Sequence, residues 1–220
     1  MKKPVLSVDD LKREVRSYLS KANKHSFKEL FGTTDGKAIG TYVEQEFRKY
    51  LGERYSFQWG NSASGIDFPS ISTDLKVTSI TQPQSSCPYK SANQKVYGLG
   101  YNLIVFVYKK KDDSKTKTAK IHFLHGIFID NQKTSDFQTT SGINGIIGRN
   151  GNADDIIAFL EERNLPLDEI GRKRLAEEIL NKTPMVGVLT ISNALQWRLQ
   201  YTRAIEVAGK GEQDDVKKVF

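Results

Sequence analysis

The sequence predicts an α/β fold: a central mixed β-sheet flanked by helices, with a helical C-terminal part. Three observations predict it. Apolar residues recur at helical spacing through the first fifty positions, β-branched and apolar runs follow at 72–80, 101–110 and 121–130, and helical spacing returns from 153 onward. Helices, then strands, then helices are most economically packed as one sheet covered on its faces.

The elements follow in order. Residues 7–23 read as a helix, because Ser7 and Asp10 make a capping-box start and Leu11, Val15, Tyr18, Leu19 and Ala22 then recur on one face. A Gly/Thr loop at 31–40 precedes a second helix over 38–51, striped by Ile39, Val43, Phe47, Tyr50 and Leu51. Residues 55–61 alternate as a weak strand. "IDF" at 66–68 starts another, and "PSIS" turns the chain into the β-branched strand 72–80. Residues 81–88 read as a loop, 90–100 as a short helix ending at Gly98 or Gly100, and 101–110 as a buried central strand. A charged hairpin loop at 109–120 leads to a return strand at 121–130, then a Gly/Asn-rich connector at 141–155. Helices are predicted over 153–164 and 168–181, a short strand over 183–190, a long helix over 191–208, and then a charged tail.

The chain of 220 residues is of single-domain length, read as a catalytic core over about 36–130 and a helical part for partner binding over about 141–220. A single cysteine, Cys87, excludes an internal disulfide, and three histidines with one cysteine are too few and scattered for a structural zinc site. The basic start lacks the apolar stretch of a secretory signal, and no apolar run is long enough to span a bilayer, so the expected compartment is cytoplasmic. A net charge of +7 permits a polyanionic partner.

The chemistry is expected at "GIDFPSISTDLK", residues 65–76. Asp74 and Lys76 share parity, so one face of the strand carries both a carboxylate and an ammonium, while Leu75 and Val77 face the other way. Antiparallel pairing across "PSIS" brings Asp67 beside Asp74. Two adjacent carboxylates repel unless a cation lies between them, and hard oxygen ligands in small number suit Mg²⁺. Lys76 then supplies a positive charge or a proton-transfer group, a grouping suited to phosphodiester hydrolysis.

These residues resemble the PD-(D/E)XK nuclease superfamily, and its type II restriction endonucleases in particular, over residues 36–108. Asp67 in "GID" and Asp74-Leu75-Lys76 in "TDLK" carry the resemblance, with Ile66 where the family name has Pro and Asp74 where Glu is commoner. The resemblance implies a restriction-endonuclease-like core, a Mg²⁺ cofactor, double-stranded DNA as substrate and a homodimer acting on a palindrome. It implies Asp67, Asp74, Lys76 and Glu44 as catalytic residues, and Asp67, Asp74, Glu44 and the carbonyl of Leu75 as metal ligands. Glu44 matches the family's G-x-x-x-E spacing from Gly40, whereas helical geometry puts Glu46 inside the apolar stripe and Glu44 at its edge. The motif favours Glu44, with Glu46 kept as the alternative. The alternatives are another nuclease of this core acting in repair or recombination, or a non-catalytic basic nucleic-acid-binding module.

On the helix predicted over 191–208, Asn193, Gln196, Gln200 and Arg203 form a polar stripe of residue types that bond bidentately to base edges. Arg149 and Asn150, in the glycine-rich connector, are a second DNA-binding candidate. Gln94 and Lys95 read as a solvated helix face, Cys87 as an incidental loop residue, and the helix pair 153–180 as a packing or dimerisation element, since its acids would meet phosphates badly.

Overall fold

The computed structural model describes residues 3–60, 65–87, 90–192, 197–211 and 215–220. Helix α1 (Val8–Ala22) begins at the predicted capping box, Ser7 with Asp10, and buries Leu11, Val15 and Leu19. Helix α2 (Gly36–Gly52) is capped by Asp35 and buries Ile39, Val43, Phe47 and Leu51. Both cover one face of a four-stranded sheet in the order β1 (Thr73–Ser79), β3 (Asn102–Asp113), β4 (Thr118–Ile129) and β7 (Val216–Lys218). Strand β1 runs parallel to β3, and the other pairs are antiparallel, so the sheet is mixed as predicted.

Strand β3 is buried on both faces. Ile104, Phe106 and Tyr108 point into the core under α1 and α2, whereas Leu103, Val105 and Val107 point into a second core. That second core is closed by a small antiparallel sheet, in the order β2 (Gln84–Cys87), β6 (Trp197–Gln200) and β5 (Thr190–Ile191), and by α7 (Thr202–Lys210). Helix α3 (Asn93–Tyr97) joins α4 (Phe137–Gly148), α5 (Ala153–Glu162) and α6 (Glu169–Asn181) around a third core of Val96, Ile143, Ile156, Leu160, Leu175 and Ile179.

Several expectations are corrected. Residues 55–60 form no strand: Ser56 makes one isolated bridge to Val5, and Phe57 and Trp59 instead lie against Phe68, at 5.8 and 4.8 Å between ring centroids. Residues 84–87 are a strand, not loop, because β6 supplies the pairing partner. The hairpin loop is shorter than 109–120, since β3 and β4 stay paired from Asp113 to Thr118. The Gly/Asn stretch from 141 to 148 is helical. A Cβ on Gly142 would fall 2.2 Å from Phe159 Cζ, so this glycine permits close packing of α4 on α5 and marks no loop. The strand predicted over 183–190 shrinks to β5, and the tail contributes β7. The helix predicted over 191–208 does not form as one element: among its described residues Ile191 belongs to β5 and Trp197–Gln200 to β6, and the helical part is α7, while 193–196 lie outside the described residues. Trp197, Arg198, Leu199 and Gln200 alternate buried and exposed, a period of two that overrides the helical spacing of Leu195 and Leu199.

Candidate active site

Strand β1 lies at the free edge of the four-stranded sheet. Ser72 C=O accepts from Asn102 N–H and Ile80 N–H donates to Tyr108 C=O, so the even-numbered residues bond β3. The odd-numbered residues therefore turn their backbone groups to the edge, where the N–H and C=O of one residue point the same way. Along this edge Phe68 makes an antiparallel bridge with Thr73, and a short 3₁₀ turn over Pro69–Ile71 with left-handed Ser72 (φ +45) joins them. Asp67 lies in a bend rather than a strand, yet the turn puts it where antiparallel pairing would.

The carboxylates meet there. Leu75 N–H donates to Asp67 Oδ2 at 2.9 Å, and Asp67 N–H donates to Asp74 Oδ1 at 3.3 Å. Since the Leu75 N–H faces the edge, its carbonyl faces the edge as well. Lys76 Nζ sits 2.6 Å from Asp74 Oδ2, with the Asp74 side chain only 3% exposed. That oxygen is buried and accepts no well-directed hydrogen bond. Asp67 is pushed up to about 7, by burial first and then by the Asp74 carboxylate, against the pull of the Leu75 N–H and Lys76. Burial pulls Lys76 down, but Asp74, Asp67 and Glu44 together overcome it and hold the ammonium above its ordinary value.

Helix α2 presents its glutamates to different places. A Cβ on Gly40 would lie 3.7 Å from Val77 C=O, so α2 rests on β1 at this position and Glu44, one turn on, lies over the groove that Lys76 lines. Burial raises Glu44, Lys76 opposes the rise and Asp74 adds to it. Glu46 points elsewhere, to Lys49 at 2.7 Å and a hollow lined by Tyr18 and His25.

Among the described residues, no three His, Cys, Asp or Glu side chains converge at metal-binding spacing. The residues present nonetheless fit one hard divalent cation. Asp67 and Asp74 supply two carboxylates, one with a buried oxygen short of a directed partner, and the edge-facing carbonyl of Leu75 is a third oxygen. Mg²⁺ is held by few protein oxygens of this kind and keeps water in its other positions.

A groove of about 1000 Å³ opens over Glu44 and Lys76. Its walls carry Lys37, Lys109, Lys110 and Arg198 among threonine and serine hydroxyls, a lining too polar for an apolar small-molecule pocket. Sequence reasoning missed Arg198, Lys37 and Lys109. The signal for Arg198 was the strict alternation of residues 197–200, and the lysines had none beyond net charge.

The other candidates are dispersed. Asn193 and Gln196 lie outside the described residues. Gln200 is exposed on β6 while Arg203 sits on α7, its guanidinium 3.3 Å from the Phe137 ring centroid, so the single polar helix stripe is not present. Arg149 and Asn150 are exposed at the C-terminal end of α4, with Asn150 at φ +58. Gln94 and Lys95 are buried rather than solvated: Gln94 accepts from Lys90 N–H, and Lys95 lies 5.7 Å from the Trp197 ring centroid. Cys87 is buried on β2 with Sγ 3.6 Å from Tyr101 Oη. No helix among the described residues is long and apolar enough to cross a membrane.

Comparison with known proteins shows the family of the chain. A family model described as Type II restriction enzyme NspV matches residues 5–218. A protein of that name from Nostoc sp. (strain ATCC 29411 / PCC 7524) is 54% identical over 216 residues, covering 98% of this chain and 97% of the relative. No solved structure matches the chain. With a match across nearly its whole length to both the family model and that relative, the chain belongs to the type II restriction enzyme NspV family.

Proposed function

We propose that this chain is a Mg²⁺-dependent type II restriction endonuclease that hydrolyses both strands of duplex DNA at a short specific sequence, through a PD-(D/E)XK centre made of Asp67, Asp74, Lys76 and Glu44. The observation that carries the reading is the pairing of Asp67 with Asp74 at the edge of β1, with Lys76 Nζ 2.6 Å from Asp74 and the basic groove opening above. Asp67, Asp74 and the Leu75 carbonyl would hold the cation. When bound, Mg²⁺ supplies charge to the scissile phosphate and acidifies water.

The chain's own residues do the rest. Lys76, fixed by Asp74, places one ammonium beside the phosphate oxygens, where it offsets charge that develops in the transition state. Glu44, with its proton affinity raised by burial, is suited to take up a proton at the groove wall. Lys37 and Lys109 hold the DNA backbone. Residues 36–130 form the catalytic core on this reading, and 141–220 the part that binds DNA and a second copy. The active form is a homodimer, because a two-fold protein on a palindrome places one centre at each strand. The compartment is the cytoplasm, where such a substrate is met.

The test is incubation of purified protein with plasmid DNA, with Mg²⁺ or EDTA, followed by sequencing of the ends. Discrete fragments with one end sequence, lost in EDTA and in Asp74→Asn, are expected. Unchanged cleavage by Asp74→Asn, or cuts at random positions, would refute the reading.

A further inference from the structure

We propose that the paired strands β2 and β6 of the small three-stranded sheet form the ribbon that reads DNA bases, with Gln84, Gln200 and Arg198 as the reading side chains; this rests on the endonuclease function proposed above. The antiparallel register sets Gln84 opposite Gln200 and Ser86 opposite Arg198. Directly opposed residues share a face of the sheet, and alternate residues share it along each strand. The other face is the core side: Cys87, Trp197 and Leu199 are buried, and Ser85 lies 2.6 Å from Tyr201 Oη. The outward face is thus a patch of two carboxamides, one guanidinium and one hydroxyl.

The patch lies where a reader must lie. Gln84, Ser86 and Arg198 line the same groove as Glu44 and Lys76. Its backbone is pinned: Gln84 N–H donates to Thr78 Oγ1 at 3.0 Å, and Thr78 is two residues beyond Lys76 on β1. Arg198 N–H donates to Ser192 Oγ at 2.9 Å, and Arg198 C=O accepts from Ser192 N–H at 3.1 Å. On such a backbone the ordering left to binding is that of the side chains themselves.

The chemistry selects duplex DNA read in its major groove. β-Strands are among the elements that enter that groove, glutamine bonds bidentately to adenine, and arginine bonds bidentately to guanine. The same groove is lined by Lys37 of α2 and Lys109 of β3, whose compact ammonium charges suit phosphates. On this proposal the lysines position the duplex and the paired strands read it.

The test takes the site that wild-type protein cuts in plasmid DNA and sets it in duplex oligonucleotides, together with every single base-pair variant of it. Cleavage of the whole set in Mg²⁺ is measured for Gln84→Ala, Gln200→Ala, Arg198→Ala, Arg198→Lys and Lys109→Ala, alongside thermal melting. Each ribbon alanine variant is expected to lose roughly tenfold to a hundredfold in kcat/KM on the intact site. Its rates on duplexes altered at one base-pair position should then match its rate on the intact site. Arg198→Lys should keep the salt dependence and lose the discrimination, since it keeps the charge without the fork. Lys109→Ala should lose rate on all duplexes alike and lower the salt slope by about one. Ribbon variants that melt as wild type and keep full discrimination, or that lose rate uniformly over all duplexes, overturn the proposal while leaving the nuclease intact. Absence of any cleavage by wild-type protein overturns the nuclease reading itself.

Discussion

Asp67→Asn is expected to abolish cleavage and, at the same time, to stabilise the fold. Asp67 is held at about 7 against a usual 3.8, by burial and by the carboxylate of Asp74. Below about pH 4 the folded and unfolded chains both carry this proton, and stability is unaffected by it. Between about 4 and 7 the unfolded chain gives up the proton while the folded chain keeps it, so stability falls as pH rises. Above 7 the whole cost is present, at most about 4 kcal/mol at 1.36 kcal/mol per pH unit. The Asp67→Asn substitution removes the charge and keeps the shape. The carbonyl oxygen of the new amide replaces Asp67 Oδ2 as acceptor for the Leu75 N–H, and its NH₂ group turns a donor toward Asp74.

The assay is urea unfolding of both proteins from pH 5 to 9, in EDTA and again with Mg²⁺. In EDTA at pH 8 the variant should be more stable by one to several kcal/mol, on the order of that upper limit. Its stability should also decline less between pH 5 and 7. Mg²⁺ at ten times its dissociation constant should stabilise wild type by about 1.4 kcal/mol and leave the variant unmoved. A variant less stable than wild type at pH 8, with a parallel pH profile, would refute the reasoning, because Asp67 would then be a satisfied structural carboxylate.

Lys76→Ala should move stability the other way, by roughly 1–4 kcal/mol at pH 8, because it strips the cation from a buried carboxylate. It should also slow single-turnover cleavage by about a hundredfold or more, which Lys76→Arg does not restore; normal cleavage by either would refute the role. Ca²⁺ in place of Mg²⁺ should support DNA binding but not cleavage, and equal cleavage rates in the two ions would contradict it. At low Mg²⁺, cleavage by wild type should fall as pH drops through about 7, where Asp67 takes up its proton. Gly187→Ala should be strongly destabilising, since its Cβ would fall 2.1 Å from Ser135 C=O, whereas Gly40→Ala meets nothing closer than 3.7 Å and should gain about 0.5–1 kcal/mol in thermal melting.

Legibility in the sequence followed the range of the interactions. Helix α1 could be read because its cap, Ser7 with Asp10, and its apolar stripe are local. The central strand β3 could be read because burial on both faces leaves an unbroken apolar run. Strand β2 could not, since "QSSC" has no strand signal of its own and owes its conformation to β6, more than a hundred residues away. Helix α4 was hidden because its glycines look like loop residues until Phe159 packs on Gly142. In the candidate site, Asp67, Asp74 and Lys76 were legible from parity and a short turn. The choice between Glu44 and Glu46 was not, because it depends on which side of α2 rests against β1 at Gly40.

That edge position answers why a strand would carry a carboxylate and an ammonium on one face. In a strand between two neighbours every backbone group is used, and only side chains could serve a cation. Among the described residues strand β1 pairs with β3 alone apart from the Phe68 bridge at Thr73, so Leu75 turns both its N–H and its C=O outward. The N–H fixes Asp67, the C=O is left facing the edge, where on the proposed function it would serve a cation, and the residues on either side, Asp74 and Lys76, carry the second carboxylate and the ammonium. Three consecutive residues thus bring three different groups together because they alternate in both side-chain direction and backbone direction. Moving the sequence one residue along the strand would exchange both directions at once. It would bury Lys76 on the core side now held by Leu75 and Val77, and turn the Leu75 carbonyl into the ladder with β3.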